Sequence, residues 1–165
     1  MLAMNLKTQT DYALRVLIYL AYKDSQTPVE EIANAYGISK DHLVKVVQLL
    51  VRHGYLVSRS GRNGGMKLAR DPAAMNVGTI VSEIEGRNGV LPCVTDLNYC
   101  NLEPGCALRS ALIKAEDAFY ETLNKLTVGD LVRANVAKGS GGIYNLTVNR
   151  RAATPVKATE MRFNE

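Results

Sequence analysis

Over residues 10–22 the apolar positions Ala13, Leu14, Val16, Leu17, Leu20 and Ala21 recur three and four apart, the period of a helix with one broad buried face, and Thr8 or Thr10 stands ready to cap it. Residues 24–28 read as a turn. Val29–Tyr36 predicts a short second helix with Ile32, Ala33 and Tyr36 inward, stopped by Gly37. Ser39 is placed to cap a third helix that runs to about His53 and buries Leu43, Val46, Val47, Leu50 and Val51. A short helix, a glycine turn and a helix starting at serine form the helix-turn-helix pattern. Residues 55–60 then read as a strand, Gly61-Arg62-Asn63-Gly64-Gly65 as a hairpin turn, and residues 66–70 as the returning strand. The expected fold is mainly α, a winged helix-turn-helix with a small two-stranded β wing.

The second half continues in helices. After the break Asp71-Pro72-Ala73-Ala74, Val77–Glu85 predicts a helix with Val77, Ile80, Val81 and Ile84 in one stripe. Residues 107–126 predict a long C-terminal helix whose stripe is Leu108, Ala111, Leu112, Ala115, Phe119, Leu123 and Leu126. One winged domain buries only part of so long an apolar face, so the stripe reads as the dimerisation surface of a two-fold homodimer, with core packing as the alternative. Residues 127–132 add a short turn or helix. From residue 137 the composition shifts to Gly-Ser-Gly-Gly and scattered polar residues, which reads as a basic, disordered tail, although residues 143–148 could pair as a strand. The expected division is residues 1–75 for DNA reading, 76–136 for a cysteine loop and dimerisation helices, and 137–165 for the tail.

Composition narrows the class. The 165 residues, 47% hydrophobic and 22% charged, suit one globular domain with additions. No apolar run approaches the roughly 20 residues of a membrane span, and residues 1–7 lack a signal-peptide pattern, so a cytoplasmic protein with no membrane partner is expected. The net charge of +4 is unevenly placed: residues 39–70 hold seven Lys and Arg against one Asp. Such a block fits a polyanion. Ser39, Lys40, His42, Lys45, Gln48 and Arg52 on the third helix, with Arg59, Arg62, Asn63 and Gly64 on the wing, are therefore the candidate contacts to double-stranded DNA. No nucleophile paired with a base and no phosphate-binding loop points to an enzyme.

Every cysteine lies in one segment, spaced Cys93-x6-Cys100-x5-Cys106. Three thiols cannot all pair as disulfides, and a structural zinc site usually takes four ligands in short paired spacings. An iron-sulfur cluster accepts a non-cysteine ligand in one position and fits better, with a zinc staple as the alternative. Asp96 and Glu103 inside the segment are candidates for the remaining donor, and the residues alone leave that donor open.

Four features in order resemble one family: the opening Leu6-Lys7-Thr8-Gln9-Thr10-Asp11-Tyr12-Ala13-Leu14-Arg15, the helix approach Tyr36-Gly37-Ile38-Ser39, the wing Gly61-Arg62-Asn63-Gly64-Gly65 and the three-cysteine loop. Over roughly residues 4–135 the chain is similar to the Rrf-two family of winged-helix transcription regulators. The resemblance implies a homodimer on a palindromic operator and an iron-sulfur cluster, [4Fe-4S] rather than [2Fe-2S]. Iron-sulfur assembly regulators of the family carry a histidine three residues after the third cysteine. Here that residue is Arg109, which cannot coordinate iron, and His42 and His53 belong to the region of the third helix. The chain most resembles the nitric-oxide-sensing branch, in which a carboxylate at the start of the partner subunit's first helix completes the cluster; Thr10-Asp11-Tyr12-Ala13 matches in register and assigns that role to Asp11. Read without the family, Asp11 is an acid in the first turn of a helix, stabilised by its dipole. The implied function is a repressor that loses its operator when nitric oxide nitrosylates the cluster, with an iron- or redox-responsive regulator of the same fold as the alternative. One residue departs from the pattern. The family often has an arginine directly before the wing glycine, here Ser60; Arg59 lies one step earlier, on the other face of a strand, so a minor-groove contact would fall mainly to Arg62.

Overall fold

A computed structural model describes residues 6–59, 61, 64–86, 89–96, 98–102 and 105–137. The first helix, α1 (Thr8–Lys23), buries Ala13, Val16, Leu17 and Leu20 as its periodicity requires. Its capping differs from expectation. Lys7 holds the cap position without a side-chain bond, and neither Thr8 nor Thr10 acts as the cap. Thr10 is buried and donates its hydroxyl to Glu85 Oε1 at 2.5 Å, while the same oxygen accepts the Lys7 backbone N–H at 2.7 Å. A carboxylate from a distant helix thus satisfies the first N–H of the α1 start, while the Thr10 N–H bonds to the Lys7 carbonyl at 2.9 Å.

α2 (Val29–Tyr36) ends at Gly37, whose φ of 64° is the left-handed conformation in which a side chain would be strained. It buries Ala35 beside Ile32 and Ala33. Tyr36, expected inward, is half-buried with its ring edge-on to Tyr19. α3 (Lys40–Arg52) starts after Ser39, as expected, but the Ser39 side chain makes no capping bond; it is the Ser39 carbonyl that accepts the Leu43 N–H at 3.1 Å. Leu43, Val46, Val47 and Leu50 are buried, and Val51 only partly so. The wing is an antiparallel pair, β1 (Leu56–Arg59) and β2 (Gly65–Leu68), with Leu56 opposite Leu68 and Arg59 opposite Gly65. Thr27 exchanges two backbone hydrogen bonds with Met66, of 2.9 and 2.8 Å, which fastens the wing to the start of α2.

A 3-10 turn, Pro72–Ala74, is capped by the Asp71 carboxylate and leads to α4 (Val77–Glu85), whose bounds and buried stripe match the sequence pattern. A four-residue helix, α5 (Pro92–Thr95), lies inside the cysteine segment, where no element was expected. α6 (Ala107–Asn124) and α7 (Val128–Ala137) complete the described chain, α7 being longer than the short turn anticipated. Thr127 and Asp130 cap α7 reciprocally. The Thr127 N–H and hydroxyl donate to Asp130 Oδ2 at 2.9 and 2.7 Å, and the Asp130 N–H donates to the Thr127 hydroxyl at 3.1 Å. The expected strand at residues 143–148 and the tail 138–165 lie outside the described residues.

α4 faces two ways. Ile80 and Ile84 join the main core with α1, α2, α3, Tyr55 and Met66, while Val77 and Val81 pack with Tyr120 in a second cluster. Gly78 lets α6 come this close, since a Cβ there would sit 2.7 Å from the Tyr120 carbonyl oxygen. Yet α6 itself buries only Tyr120. Leu108 is 63% and Leu126 40% exposed, while Phe119 and Leu123 pack in part against the second cluster, so within one chain the long apolar stripe is part core and part open. Among the described residues no helix is long and apolar enough to cross a membrane.

Two stability predictions follow from these contacts. Gly78→Val should push α4 and α6 apart and cost about 1–3 kcal/mol in urea denaturation; a cost near zero would mean the helices do not approach so closely. The Thr127 hydroxyl, then the Thr127 N–H and Arg133, hold the Asp130 carboxyl down to about 2. The folded value lies below the unfolded one of about 3.9, so the ionised cap stabilises α7 above about pH 4 and the contribution is lost as pH falls toward 2. The stability gap between the parent and Asp130→Asn should therefore be constant above about pH 5 and close on acidification. A gap unchanged down to pH 2 would show that the charge is irrelevant.

Candidate nucleic-acid interface and thiol loop

The outward face of α3 is set by burial of the opposite one. With Leu43, Val46, Val47 and Leu50 inside, Lys40, His42, Lys45, Gln48 and Arg52 project to solvent, with Ser39 exposed just before them. Arg59, also exposed, ends β1, and a groove of about 460 Å³ lined by Val44, Gln48, Ser58, Arg59 and Gly64 joins the helix face to the base of the wing. The expected contacts on α3, with Arg59 and Gly64, thus lie on one surface. Arg62 and Asn63, like Ser60, are outside the described residues. A notch of about 390 Å³ places Thr8, Gln9 and Tyr12 of α1 beside His42 and Lys45, a border that helical periodicity alone did not reveal. His53 lies off this face, half-buried at the end of α3 with Nδ1 3.4 Å from Glu83.

Lys40 has a partner within the chain. It forms an ion pair with Glu30 of α2, which lowers the Glu30 pKa and raises that of Lys40. Both groups are exposed, so the pair is a surface contact in competition with solvent and with any anion. Sequence reasoning missed it because the glycine turn that brings α2 against α3 has to be built before the two charges meet.

The thiol loop leaves α4 at Gly86 and returns as α6. Cys93 rides on α5, Cys106 occupies the cap position of α6, and all three cysteines are free and half-buried. Arg109, in the first turn of α6, donates from Nε to the Cys93 carbonyl at 2.7 Å and from a terminal nitrogen to the Val94 carbonyl at 3.1 Å. The residue excluded as a ligand therefore ties the backbone of the first thiol to the helix that begins at the third. Among the described residues no three His, Cys, Asp or Glu side chains converge closely enough to hold one ion. The donor chemistry nevertheless suits an iron-sulfur cluster: three soft thiols, unengaged in disulfides, on a short irregular segment. Of the carboxylates considered for the remaining position, Asp96 accepts the Asn98 N–H at 2.9 Å and Glu103 is outside the described residues. Asp11 is 49% exposed on α1 and accepts from Arg15 Nε at 2.9 Å, an interaction that raises the Arg15 pKa. Within one chain Asp11 and the cysteines are not brought together.

Comparison with known proteins bears on both surfaces. Residues 6–134 match the Rrf2 (Rrf-two) family, described as iron-dependent transcriptional regulators. The chain is 41% identical over 133 residues to the HTH-type transcriptional regulator NsrR of Oceanobacillus iheyensis, covering 79% of this chain and 90% of that one. Among solved structures it is similar to CymR, the global cysteine regulator of B. subtilis, with a TM-score of 0.67 and 27% identity over 80% of this chain and 98% of that one. It also shares the fold of T. potens IscR, with a TM-score of 0.66 over 82% of this chain and 92% of that one at 24% identity. With its basic helix face, its wing and a family match across nearly all of the described residues, the chain belongs to the Rrf2 family of winged-helix transcription regulators.

Proposed function

We propose that the protein is a homodimeric DNA-binding repressor that holds an iron-sulfur cluster and releases a palindromic operator in response to nitric oxide. The observation that carries this reading is the set of three free, half-buried thiols on the segment between α4 and α6, attached to a winged reader and similar in sequence to NsrR. The open stripe on α6 supports a two-fold dimer, since two copies of Leu108, Leu112, Ala115 and Phe119 can cover each other. A groove of about 610 Å³ beside it, lined in part by Leu6, Val90, Leu112 and Phe119, extends the apolar surface toward the thiol loop and the start of α1.

In this reading residues 1–75 read DNA and residues 76–136 sense and dimerise. Cys93, Cys100 and Cys106 provide thiolates, and the partner subunit's Asp11 provides a carboxylate, an oxygen donor that iron holds less firmly than sulfur. When bound, the cluster, [4Fe-4S] in preference to [2Fe-2S], supplies iron with affinity for nitric oxide. Arg109 keeps the Cys93 backbone against α6. Arg15 donates to Asp11 Oδ1, which leaves the second carboxylate oxygen to serve the other subunit, and its guanidinium lies 5.6 Å from the centre of the Tyr36 ring. Because α1 packs on α3, a change in how α1 is held reaches the helix that faces the major groove. The family's description as iron-dependent favours a second reading, in which iron supply or redox state is the signal.

Anaerobically purified protein should contain iron and sulfide, absorb in the visible, and lose operator binding as nitric oxide is titrated in. Binding that follows iron removal but ignores nitric oxide would select the second reading, and a colourless zinc protein would end both. Asp11→Ala should leave a dimer whose cluster is labile; a spectrum and nitric oxide response identical to the parent would show the carboxylate assignment to be wrong. On the DNA side, Glu30→Ala should free Lys40 for a phosphate, tighten binding and steepen the salt dependence by about one unit. An unchanged slope would mean that Lys40 meets no phosphate.

A further inference from the structure

Tyr55 stands where α3 gives way to β1, and every polar atom it has is engaged by a different element. Its N–H donates to the Leu50 carbonyl of α3 at 2.9 Å, and its carbonyl accepts the Ala69 N–H from the strand returning out of the wing, also at 2.9 Å. Its ring is 2% exposed, and its hydroxyl donates to Glu83 Oε2 of α4 at 2.8 Å. The same carboxylate oxygen lies 3.4 Å from His53 Nδ1, at the end of α3. Arg70, just after β2, places its guanidinium 4.8 Å from the centre of the Tyr55 ring and donates to the His53 carbonyl at 3.0 Å. The end of the recognition helix, both strands of the wing and α4 therefore meet at one ring and one carboxylate.

We propose that Glu83 is a positioning residue for operator recognition, fixing the wing and the recognition helix at one relative angle without itself touching DNA. A two-stranded ribbon has little stability alone, so the direction in which a wing points is decided where it is anchored. Here the anchor is shared with the recognition helix, and Glu83 extends it to α4 by a hydrogen bond beside the core packing of Ile80 and Ile84. Burial, reinforced by the bond to Glu83, pushes the Tyr55 hydroxyl up from its ordinary pKa, so the phenol stays a donor throughout the physiological range. A donor facing a carboxylate makes a shorter and stronger hydrogen bond than one facing a neutral oxygen. Specific DNA binding needs helix and wing in register at once, whereas non-specific binding needs only positive charge near phosphates. Losing the anchor should therefore damage the first and spare the second. The inference rests on DNA binding by the family and is independent of the cluster.

The test uses the full-length protein and two duplexes, one selected by the parent from a random pool and one unrelated. Glu83→Ala and Tyr55→Phe should each weaken binding of the selected duplex by about tenfold, the loss expected for one charge-assisted hydrogen bond. Affinity for the unrelated duplex and the salt slope should not change. Glu83→Gln, which still accepts from Tyr55, should recover most of the loss, and the double variant should lose no more than the larger single one. A melting temperature that falls while discrimination between the duplexes stays within about twofold of the parent would reduce Glu83 to a structural role and overturn the proposal. If Glu83→Ala does not fold, Tyr55→Phe decides by the same criterion, because it keeps the ring and its packing.

Discussion

Helix α4 buries one stripe that is shared between two hydrophobic clusters, and most of the molecule is arranged around that fact. Nine residues carry Ile80 and Ile84 into the core of the DNA reader and Val77 and Val81 into the cluster beneath α6. Burial of each such side chain contributes about 1.5–3 kcal/mol, so neither neighbour can be peeled away cheaply. The polar residues at its far end are committed as well: Glu83 to Tyr55 and His53, Glu85 to Lys7 and Thr10. The helix then runs directly into the thiol loop at Gly86. A short helix shared by two packed clusters carries a displacement of one to the other, a coupling that the proposed sensing segment would use to reach the DNA-reading surface.

Where local rules decide, the sequence was a good guide. Gly37 stops α2 because the next step needs a left-handed backbone, and the stripe from Val77 to Ile84 fixes the bounds of α4 before any neighbour is known. The wing was legible from alternation and a glycine-rich turn. Capping was harder. Ser39 stands in the right place without a side-chain capping bond, and at the start of α1 the Lys7 N–H and the Thr10 hydroxyl are met by Glu85, 75 or more residues away. The Glu30 to Lys40 and Tyr55 to Glu83 contacts were invisible for the same reason: each joins elements whose approach depends on the assembled core. α5 escaped notice because four residues are too few to show a period. The three thiols were obvious as a motif, but their segment is irregular, and spacing alone does not dictate how it is folded.

Arg109 shows how a residue disqualified for one task can serve another at the same place. A guanidinium is always charged and has no lone pair for iron, yet its planar array of donors is well suited to gripping adjacent carbonyls. By holding the Cys93 and Val94 carbonyls it orders the backbone around the first thiol from the protein side. Some of the entropy of arranging that part of the loop is thereby lost at folding, before any ligand arrives.

The pairing of Lys40 with Glu30 has a consequence for how a regulator finds its site. A chromosome offers a vast excess of wrong sequence, and each additional phosphate contact lengthens the stay on all of it alike. A recognition helix that arrives with one lysine already neutralised by its own chain holds less tightly to arbitrary DNA. In the proposed complex a phosphate at Lys40 would have to displace Glu30 first, which sets the loss of a weak surface pair against that contact. An ion pair between two exposed side chains is thus a small penalty on one contact of the proposed DNA-reading face, imposed alike on every sequence the protein visits.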